Sequence, residues 1–224
     1  MSKTKEPQYQ RCLEVEQKEG LAQLGYMSNQ TWYDDPKRLV FVLSRYKFVS
    51  KMLSGKKKVL EVGCADAFGT RIVLQEVESL CAVDFDPLFI EDVKNRMSAK
   101  WSFEARVHDM LEGPVSGDFD GAYALDVLEH INPEDEDRFV TNICDSVTER
   151  GVVIFGIPSL ESQAYASPGS VAGHVNCKTG AELKKLGERY FYNSFVFCMN
   201  DEVVHTGFFP MANYLFLLGV GKKR

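Results

Sequence analysis

The class of fold follows from one stretch, Val59-Leu60-Glu61-Val62-Gly63-Cys64-Ala65-Asp66-Ala67-Phe68-Gly69, in which an apolar strand runs into a turn of small residues that leads to a helix. Small residues at such a turn let a ligand approach the backbone closely, and the first N–H groups of the helix are free to donate hydrogen bonds. In open α/β sheets, nucleotide-like ligands bind at this place, beyond the carboxyl ends of the strands. The stretch therefore predicts a sheet edge built for such a ligand.

The flanking sequence alternates short apolar runs with amphipathic stretches, which is typical of α/β proteins. Several runs are too apolar for half-exposed strands and are predicted to be buried and parallel. These predicted strands are Lys58–Val62, Leu80–Asp84, Ala105–His108, Gly121–Leu125 and Val152–Ile157. A helix from Pro36 to Leu53 precedes them, and the predicted crossover helices are Thr70–Glu78, Pro87–Ala99 and Pro133–Glu149.

The last part of the chain carries a different pattern. Thr179 and Glu182 have the spacing of a capping box, which predicts a helix through Arg189. The apolar runs Phe191–Met199 and Tyr214–Val220 follow it and are predicted to form a terminal antiparallel pair. We therefore expect an α/β fold with a Rossmann-like, doubly wound and mostly parallel sheet of seven strands that ends in this antiparallel pair.

The length of 224 residues predicts one domain. We divide it into an N-terminal helical cap segment (1–55), a cofactor-binding half (56–157) and an acceptor-binding half (158–224). The polar N-terminus has no signal-peptide core and no apolar run is long enough to span a membrane, so a cytoplasmic protein is expected. The six cysteines form no C-x-x-C pair, which disfavours a structural zinc site.

The net charge of −6 bears on possible partners. The basic runs of the chain are Lys56–Lys58 and Lys222–Arg224, which are short and far apart in the sequence. A surface that binds duplex nucleic acid needs a larger basic face. Nucleic acid is therefore disfavoured as a partner and a small molecule is favoured, while the sequence leaves the oligomeric state open.

Two classes of cofactor compete for the turn after Val62. The dinucleotide pattern G-x-G-x-x-G would place Phe68 where a small residue is required, which disfavours a nicotinamide oxidoreductase. The turn instead resembles the first motif of the class I methyltransferases, E/D-x-G-x-G-x-G, with Glu61 and Gly63 matching and Ala65 and Ala67 in place of the later glycines. Because a Cβ atom disfavours positive φ, we expect both alanines to keep ordinary backbone angles.

The resemblance covers four ordered motifs from about residue 58 to 131 and implies S-adenosylmethionine as the cofactor. Asp84 closes the second strand, where an acid accepts hydrogen bonds from the ribose hydroxyls. Asp109 stands where the family reads the adenine amino group, although a turn aspartate is the alternative. Arg45 is expected to meet the cofactor carboxylate or to be a solvated helix charge. The implied cofactor-binding residues are Glu61, Gly63, Cys64, Ala65, Asp84, Phe85, Asp109, Met110, Asp126 and Arg45.

Methyl transfer from a sulfonium is an in-line displacement, in which orientation can contribute roughly 7–11 kcal/mol and a positioned base about 10²–10⁴-fold. A hydroxyl acceptor must lose its proton, and histidine is the first candidate base because its ordinary pKa lies near neutrality. His174 and His130 are the catalytic candidates among the four histidines, with structural roles as the alternative.

The segment Pro158–Cys177 is too long for a routine connection and is predicted to be a lid or an acceptor-binding loop, with a solvated loop as the alternative. Tyr165, Gln163 and Asn176 are its candidate substrate-binding residues. We expect O- or N-methylation of a small polar metabolite or a sugar-like acceptor. A cofactor-binding partner subunit without catalysis is the second hypothesis.

Metal-assisted transfer is an alternative, because Asp126, Glu129, His130 and Asp135 are close in sequence and hard cations take oxygen ligands. Catechol-type methyltransferases resemble this arrangement, but their adjacent Asp-Asn pair is missing here. His130 also suits magnesium badly. The sequence therefore predicts no metal.

Overall fold

The apolar runs form one sheet of eight strands in the computed structural model, which describes residues 3–223. The sheet order is β3-β2-β1-β4-β5-β8-β6-β7. Strands β1 to β5 are parallel, whereas β8 pairs antiparallel with both β5 and β6. The strands are β1 (Lys58–Val62), β2 (Ser79–Asp84), β3 (Glu104–Val107), β4 (Phe119–Leu125), β5 (Val147–Pro158), β6 (Phe191–Asn200), β7 (Val203–His205) and β8 (Tyr214–Lys222).

Helices cover both faces of this sheet. The α-helices of the described residues are α1 (Gln10–Glu19), α2 (Tyr26–Asp34), α3 (Pro36–Met52), α4 (Thr70–Leu74), α5 (Pro87–Arg96), α6 (Glu136–Ser146), α7 (Pro168–Gly173) and α8 (Gly180–Tyr190). On one face, Phe139 of α6 and Leu183 of α8 pack in a core cluster with β1, β4 and β5. On the other, Val49 of α3 and Ile90 of α5 pack with the same strands. None of the helices between residues 3 and 223 has the length and apolarity needed to cross a bilayer.

The predicted Rossmann-like, mostly parallel sheet with an antiparallel end is confirmed. The sheet has eight strands rather than seven, because the short β7 pairs with the end of β6. Helix α6 begins at Glu136 rather than Pro133, since the Asp135 N–H closes a turn on Asn132. It also stops at Ser146, because Val147 already pairs with Phe119 as part of β5.

Helix α4 ends at Leu74, four residues before the predicted end at Glu78. The backbone groups beyond it bond outside the helix, since the Glu76 carbonyl accepts from Gly55 N and Glu78 N donates to the Lys56 carbonyl. Helix α5 likewise ends at Arg96, before the predicted Ala99.

Helix α8 has the predicted capping box. Thr179 Oγ1 accepts from Glu182 N at 3.2 Å, and the Glu182 carboxylate accepts from Thr179 N at 2.8 Å. Replacing Thr179 by alanine leaves the Glu182 N–H without its acceptor, so we expect the free energy of unfolding to fall by about 1 kcal/mol. Denaturant unfolding of Thr179→Ala measures this loss. Lys185→Ala, on the exposed face of the same helix, is the control, and equal losses in the two variants would contradict the capping role.

Candidate active site

The turn after β1 is held against the end of β2 by hydrogen bonds. Gly63 N and Cys64 N both donate to the Val83 carbonyl, at 2.8 and 3.1 Å. Ala65 N donates to Asp84 Oδ2 at 2.8 Å, and Asp86 N donates to Asp84 Oδ1 at 3.0 Å. The turn and the acid that closes β2 therefore lie side by side, as a nucleoside site at this edge requires.

The expectation of ordinary backbone angles in this turn was wrong. Ala65 and Ala67 have φ values of 45° and 49°, in the left-handed region, as does Gly63 at 69°. Tertiary hydrogen bonds offset the local cost of this conformation. In this bend Ala65 N donates to Asp84, and the Asp66 side chain between the alanines accepts from Ser28 N at 2.6 Å.

The left-handed angle of Ala65 leads to a prediction. Glycine relieves a cost of roughly 1 kcal/mol for a left-handed L-residue, but it loses more conformational entropy on folding by roughly 0.5–1 kcal/mol. We therefore expect Ala65→Gly to change the free energy of unfolding by less than about 0.5 kcal/mol. Ala181→Gly, at an exposed position of α8 without positive φ, should cost about 0.5–1 kcal/mol. Thermal or denaturant unfolding compares the pair, and equal losses would contradict strain at Ala65.

Glu61 lies beneath the turn rather than on the open edge. Its side chain is 2% exposed, and its Oε2 accepts from Thr70 Oγ1 of α4 at 2.6 Å. Burial raises the pKa of this carboxyl to about 7, although the hydrogen bond from Thr70 opposes the shift. Glu61 thus joins β1 to α4 and orders the turn from below.

The other implied cofactor residues have three kinds of surroundings. Phe85 is 71% exposed at the end of β2, where a flat ligand can stack on it. Asp109 accepts from Leu111 N at 2.8 Å, which is the geometry of the turn aspartate that the sequence left as an alternative. Met110 and Cys64 are buried in the two core clusters, 4% and 2% exposed, so their side chains serve packing.

Arg45 and Asp126 meet where β4 ends. Arg45 Nη1 donates to Asp126 Oδ2 at 2.6 Å, and the guanidinium lies 3.9 Å from the centre of the Tyr214 ring. The Arg45 side chain is only 18% exposed, so it is not a solvated helix charge. Arg45 Nε and the Tyr214 hydroxyl are buried and have no partner among the described residues. Tyr214 was not predicted as a site residue, because nothing local in an apolar strand sets it apart.

His130 and His174 lie together although 44 positions separate them in the sequence. Their ring centres are 5.1 Å apart. Burial lowers the pKa of His174, and the proximity of His130 lowers it further. Beside them is Glu129, which is 1% exposed and whose Oε2 has no partner in residues 3–223. Burial raises the pKa of Glu129 well above its usual range, and the charge of Asp126 adds to the shift.

The loop after β5 folds back over these residues. Asn176 N donates to the Glu129 carbonyl at 3.0 Å, and a bridge between Ser159 and Lys178 joins the two ends of the loop. This closure explains why His174 reaches the exit of β4. The cluster that results is Glu129, His130 and His174. Asp126 and Asp135, which lie near Glu129 and His130 in the sequence, pair with Arg45 and Arg138 instead.

The candidate acceptor residues of this loop have different surroundings. Gln163 Oε1 lies 2.8 Å from His174 Nδ1, so Gln163 is part of the histidine site. The Asn176 side chain is 7% exposed and already bonds to Glu136 and Lys178, which leaves it little capacity for a ligand. Tyr165 is 91% exposed. The role of each in acceptor binding stays a prediction.

A cavity of about 860 Å³ lies elsewhere, between α1 and residues 95–101. Arg11, Arg71 and Trp101 line it, and none of the implied cofactor or catalytic residues does. The candidate site is therefore not this cavity but the edge of the sheet at the carboxyl ends of β1, β2 and β4.

Comparisons with known proteins agree with this geometry. Residues 59–151 match the model of a family described as a methyltransferase domain. No curated protein matches the chain closely enough to count as a relative. Among solved structures, the N-methyltransferase NodS from Bradyrhizobium japonicum WM9 is similar at 17% identity, with 85% of this chain and 99% of NodS covered and a TM-score of 0.62.

Two further structures are similar to this chain. NodS in complex with S-adenosyl-L-homocysteine has 15% identity, a TM-score of 0.58 and coverage of 85% of this chain and 90% of NodS. The small RNA methyltransferase HEN1 has 15% identity and a TM-score of 0.64, with 82% of this chain but 26% of HEN1 covered. The resemblance found in the sequence motifs is thereby confirmed: residues 59–151 match a methyltransferase-domain model, and the chain has the fold of methyltransferases of known structure.

Proposed function

We propose that the protein is an S-adenosylmethionine-dependent methyltransferase that acts on the oxygen or nitrogen of a small polar acceptor. The observation that carries this proposal is the contact of the Asp84 carboxylate with Ala65 N in the turn after β1. A carboxylate offers about four acceptor sites, and two backbone N–H groups use two of them here. Asp84 is 6% exposed, and we assign its remaining lone pairs to the ribose hydroxyls.

The buried polar groups at the end of β4 fit the amino-acid end of the cofactor. Arg45 Nε and the Tyr214 hydroxyl lack partners among residues 3–223, and an unpaired buried polar group costs about 1–3 kcal/mol. A carboxylate bound to Arg45 would remove part of that cost. Asp126, which already bonds to Arg45, can accept from an ammonium group.

When bound, S-adenosylmethionine supplies an electrophilic methyl group. The chain's own residues then hold the acceptor in line, exclude water and take its proton. His174 and His130 face each other beside Asp126, the residue proposed for the methionine end. The lowered pKa of His174 keeps its imidazole neutral near pH 7, which is the form that accepts a proton.

The net charge of −6 favours a small acceptor over a polyanion. Solved structures of similar fold include an N-methyltransferase and a small RNA methyltransferase, so the fold itself does not exclude an RNA acceptor. We therefore include a short single-stranded RNA beside hydroxyl and amine metabolites in the acceptor screen. Release of S-adenosylhomocysteine only with RNA would overturn the small-acceptor part of the proposal.

Titration calorimetry with S-adenosylmethionine and with NAD tests the cofactor directly. We expect stoichiometric binding of S-adenosylmethionine and none of NAD. Binding of NAD alone would support the oxidoreductase instead. Binding of S-adenosylmethionine without release of S-adenosylhomocysteine for any acceptor would favour the partner-subunit hypothesis.

A further inference from the structure

Glu129, His130 and His174 each offer one ligand atom, and these atoms lie within 4.8 Å of one another. Glu129 and His130 follow β4, whereas His174 comes from the loop after β5. Atoms bound to one ion at about 2.0–2.2 Å lie roughly 3–3.5 Å apart, so small side-chain rotations close this set around a cation.

The Nδ1 atom of each imidazole already has a hydrogen-bond partner. His130 Nδ1 lies 2.8 Å from the Gly173 carbonyl, and His174 Nδ1 lies 2.8 Å from Gln163 Oε1. The amide of Gln163 is oriented, because its Nε2 donates to the Ser159 carbonyl at 3.3 Å. Since both partners are acceptors, each Nδ1 carries the proton, which leaves each Nε2 lone pair free. Metal-binding histidines are fixed in this way by outer-shell acceptors.

The carboxylate of Glu129 supplies a second, independent observation. Its side chain is 1% exposed, and its Oε2 has no partner among the residues described. The nearby cation, Arg45, is engaged by Asp126 at 2.6 Å. A buried carboxylate is costly without a charge or hydrogen-bond partner. A cation held by the two imidazoles would satisfy it.

We propose that Glu129, His130 and His174 bind a divalent transition-metal ion such as Zn²⁺, Mn²⁺ or Co²⁺. Two imidazoles and one carboxylate suit this class better than Mg²⁺, which prefers oxygen ligands. Three protein ligands leave coordination positions open, as in catalytic rather than structural sites.

The role of the ion rests on the proposed function. A hydroxyl acceptor bound at an open position has its pKa lowered, because the ion stabilises the oxyanion. With the ion bound, the Nε2 lone pairs of His130 and His174 are occupied, so the two histidines act as ligands instead of as the base. The acceptor proton then leaves to solvent, the oxygen forms the new bond to the methyl carbon, and the sulfur–methyl bond breaks to give S-adenosylhomocysteine. The inference therefore favours a hydroxyl over an amine as the acceptor.

Titration of metal-free, untagged protein with CoCl₂ tests the site, followed by visible absorption. We expect one Co²⁺ per chain. We expect Glu129→Gln, His130→Ala and His174→Ala each to weaken Co²⁺ binding at least tenfold. His205→Ala is the matched control, since His205 bonds to Asn200 outside the cluster, and it should bind as the wild type does.

Gln163→Leu provides a variant that keeps all three ligands. Loss of the acceptor at His174 Nδ1 should weaken Co²⁺ binding about 10–100-fold while the protein stays folded by circular dichroism. Wild-type protein that binds no Co²⁺, or ligand variants that bind as tightly as His205→Ala, would overturn the inference. Titration of the same samples with S-adenosylmethionine separates the two proposals, because a failed metal site leaves cofactor binding intact and a failed cofactor site leaves Co²⁺ binding intact.

Discussion

Replacing Asp84 by alanine is expected to weaken binding of S-adenosylmethionine by more than tenfold. A hydrogen bond to a charged group contributes about 1.5–3 kcal/mol, and the ribose offers two hydroxyls to this carboxylate. The substitution also frees Ala65 N and Asp86 N, which Asp84 now binds at 2.8 and 3.0 Å, so the turn loses part of its order as well. Titration calorimetry of the folded variant measures the change in dissociation constant.

Asp86→Ala is the matched control for this experiment. Asp86 stands two positions further on, but its carboxylate caps α5 by accepting from Leu88 N at 2.9 Å. Its loss should lower the free energy of unfolding by about 1 kcal/mol and leave the cofactor affinity nearly unchanged. If Asp84→Ala bound the cofactor as tightly as Asp86→Ala, Asp84 would no longer belong to the site.

Glu61→Gln is expected to become more stable relative to the wild type as the pH rises. The folded protein holds the Glu61 pKa at about 7, whereas the carboxyl of the unfolded chain ionises near its ordinary value of 4.5. Between these values the folded state keeps a proton that the unfolded state has lost. Glu61 therefore lowers the free energy of unfolding progressively from about pH 4.5 to pH 7.

Glutamine does not titrate, so it lacks this loss of stability and still offers an oxygen to Thr70. The stability of the variant relative to the wild type should rise by up to about 3 kcal/mol between pH 4.5 and pH 8. Urea unfolding at intervals across this range measures it. Glu78→Gln removes an exposed carboxylate and controls for net charge. A stability difference independent of pH would contradict the burial of an ionisable group at position 61.

Local patterns sufficed for the strands and for the position of the cofactor edge. Buried parallel strands are nearly continuous apolar runs, and the small-residue turn after Val62 has few alternatives. The backbone of that turn was not predictable locally, because Ala65 takes a left-handed angle to reach Asp84, 19 positions away. The end of α4 was not predictable locally either, because it is set by hydrogen bonds to residues 55 and 56, which are distant in the sequence.

The candidate site was predicted in part. The sequence placed Arg45, Asp126, His130 and His174 near the reacting groups, and the structure brings Arg45 to Asp126 and His130 to His174. The sequence did not show that Glu129 lies beside both His130 and His174, since this arrangement depends on the path of the loop after β5. The sequence signal for Glu129 was an acid that follows the apolar residues Val127 and Leu128, and such a signal becomes specific only when its neighbours are known.

The antiparallel strand β8 has a consequence for biosynthesis. Tyr214–Lys222 lies between β5 and β6, both of which the ribosome makes earlier. Until this segment emerges from the exit tunnel, β5 and β6 each expose an unpaired edge, and such edges recruit strands from other chains. The nascent chain therefore passes through an aggregation-prone interval that closes only when its late strand inserts, and chaperone dependence should be greatest at that stage.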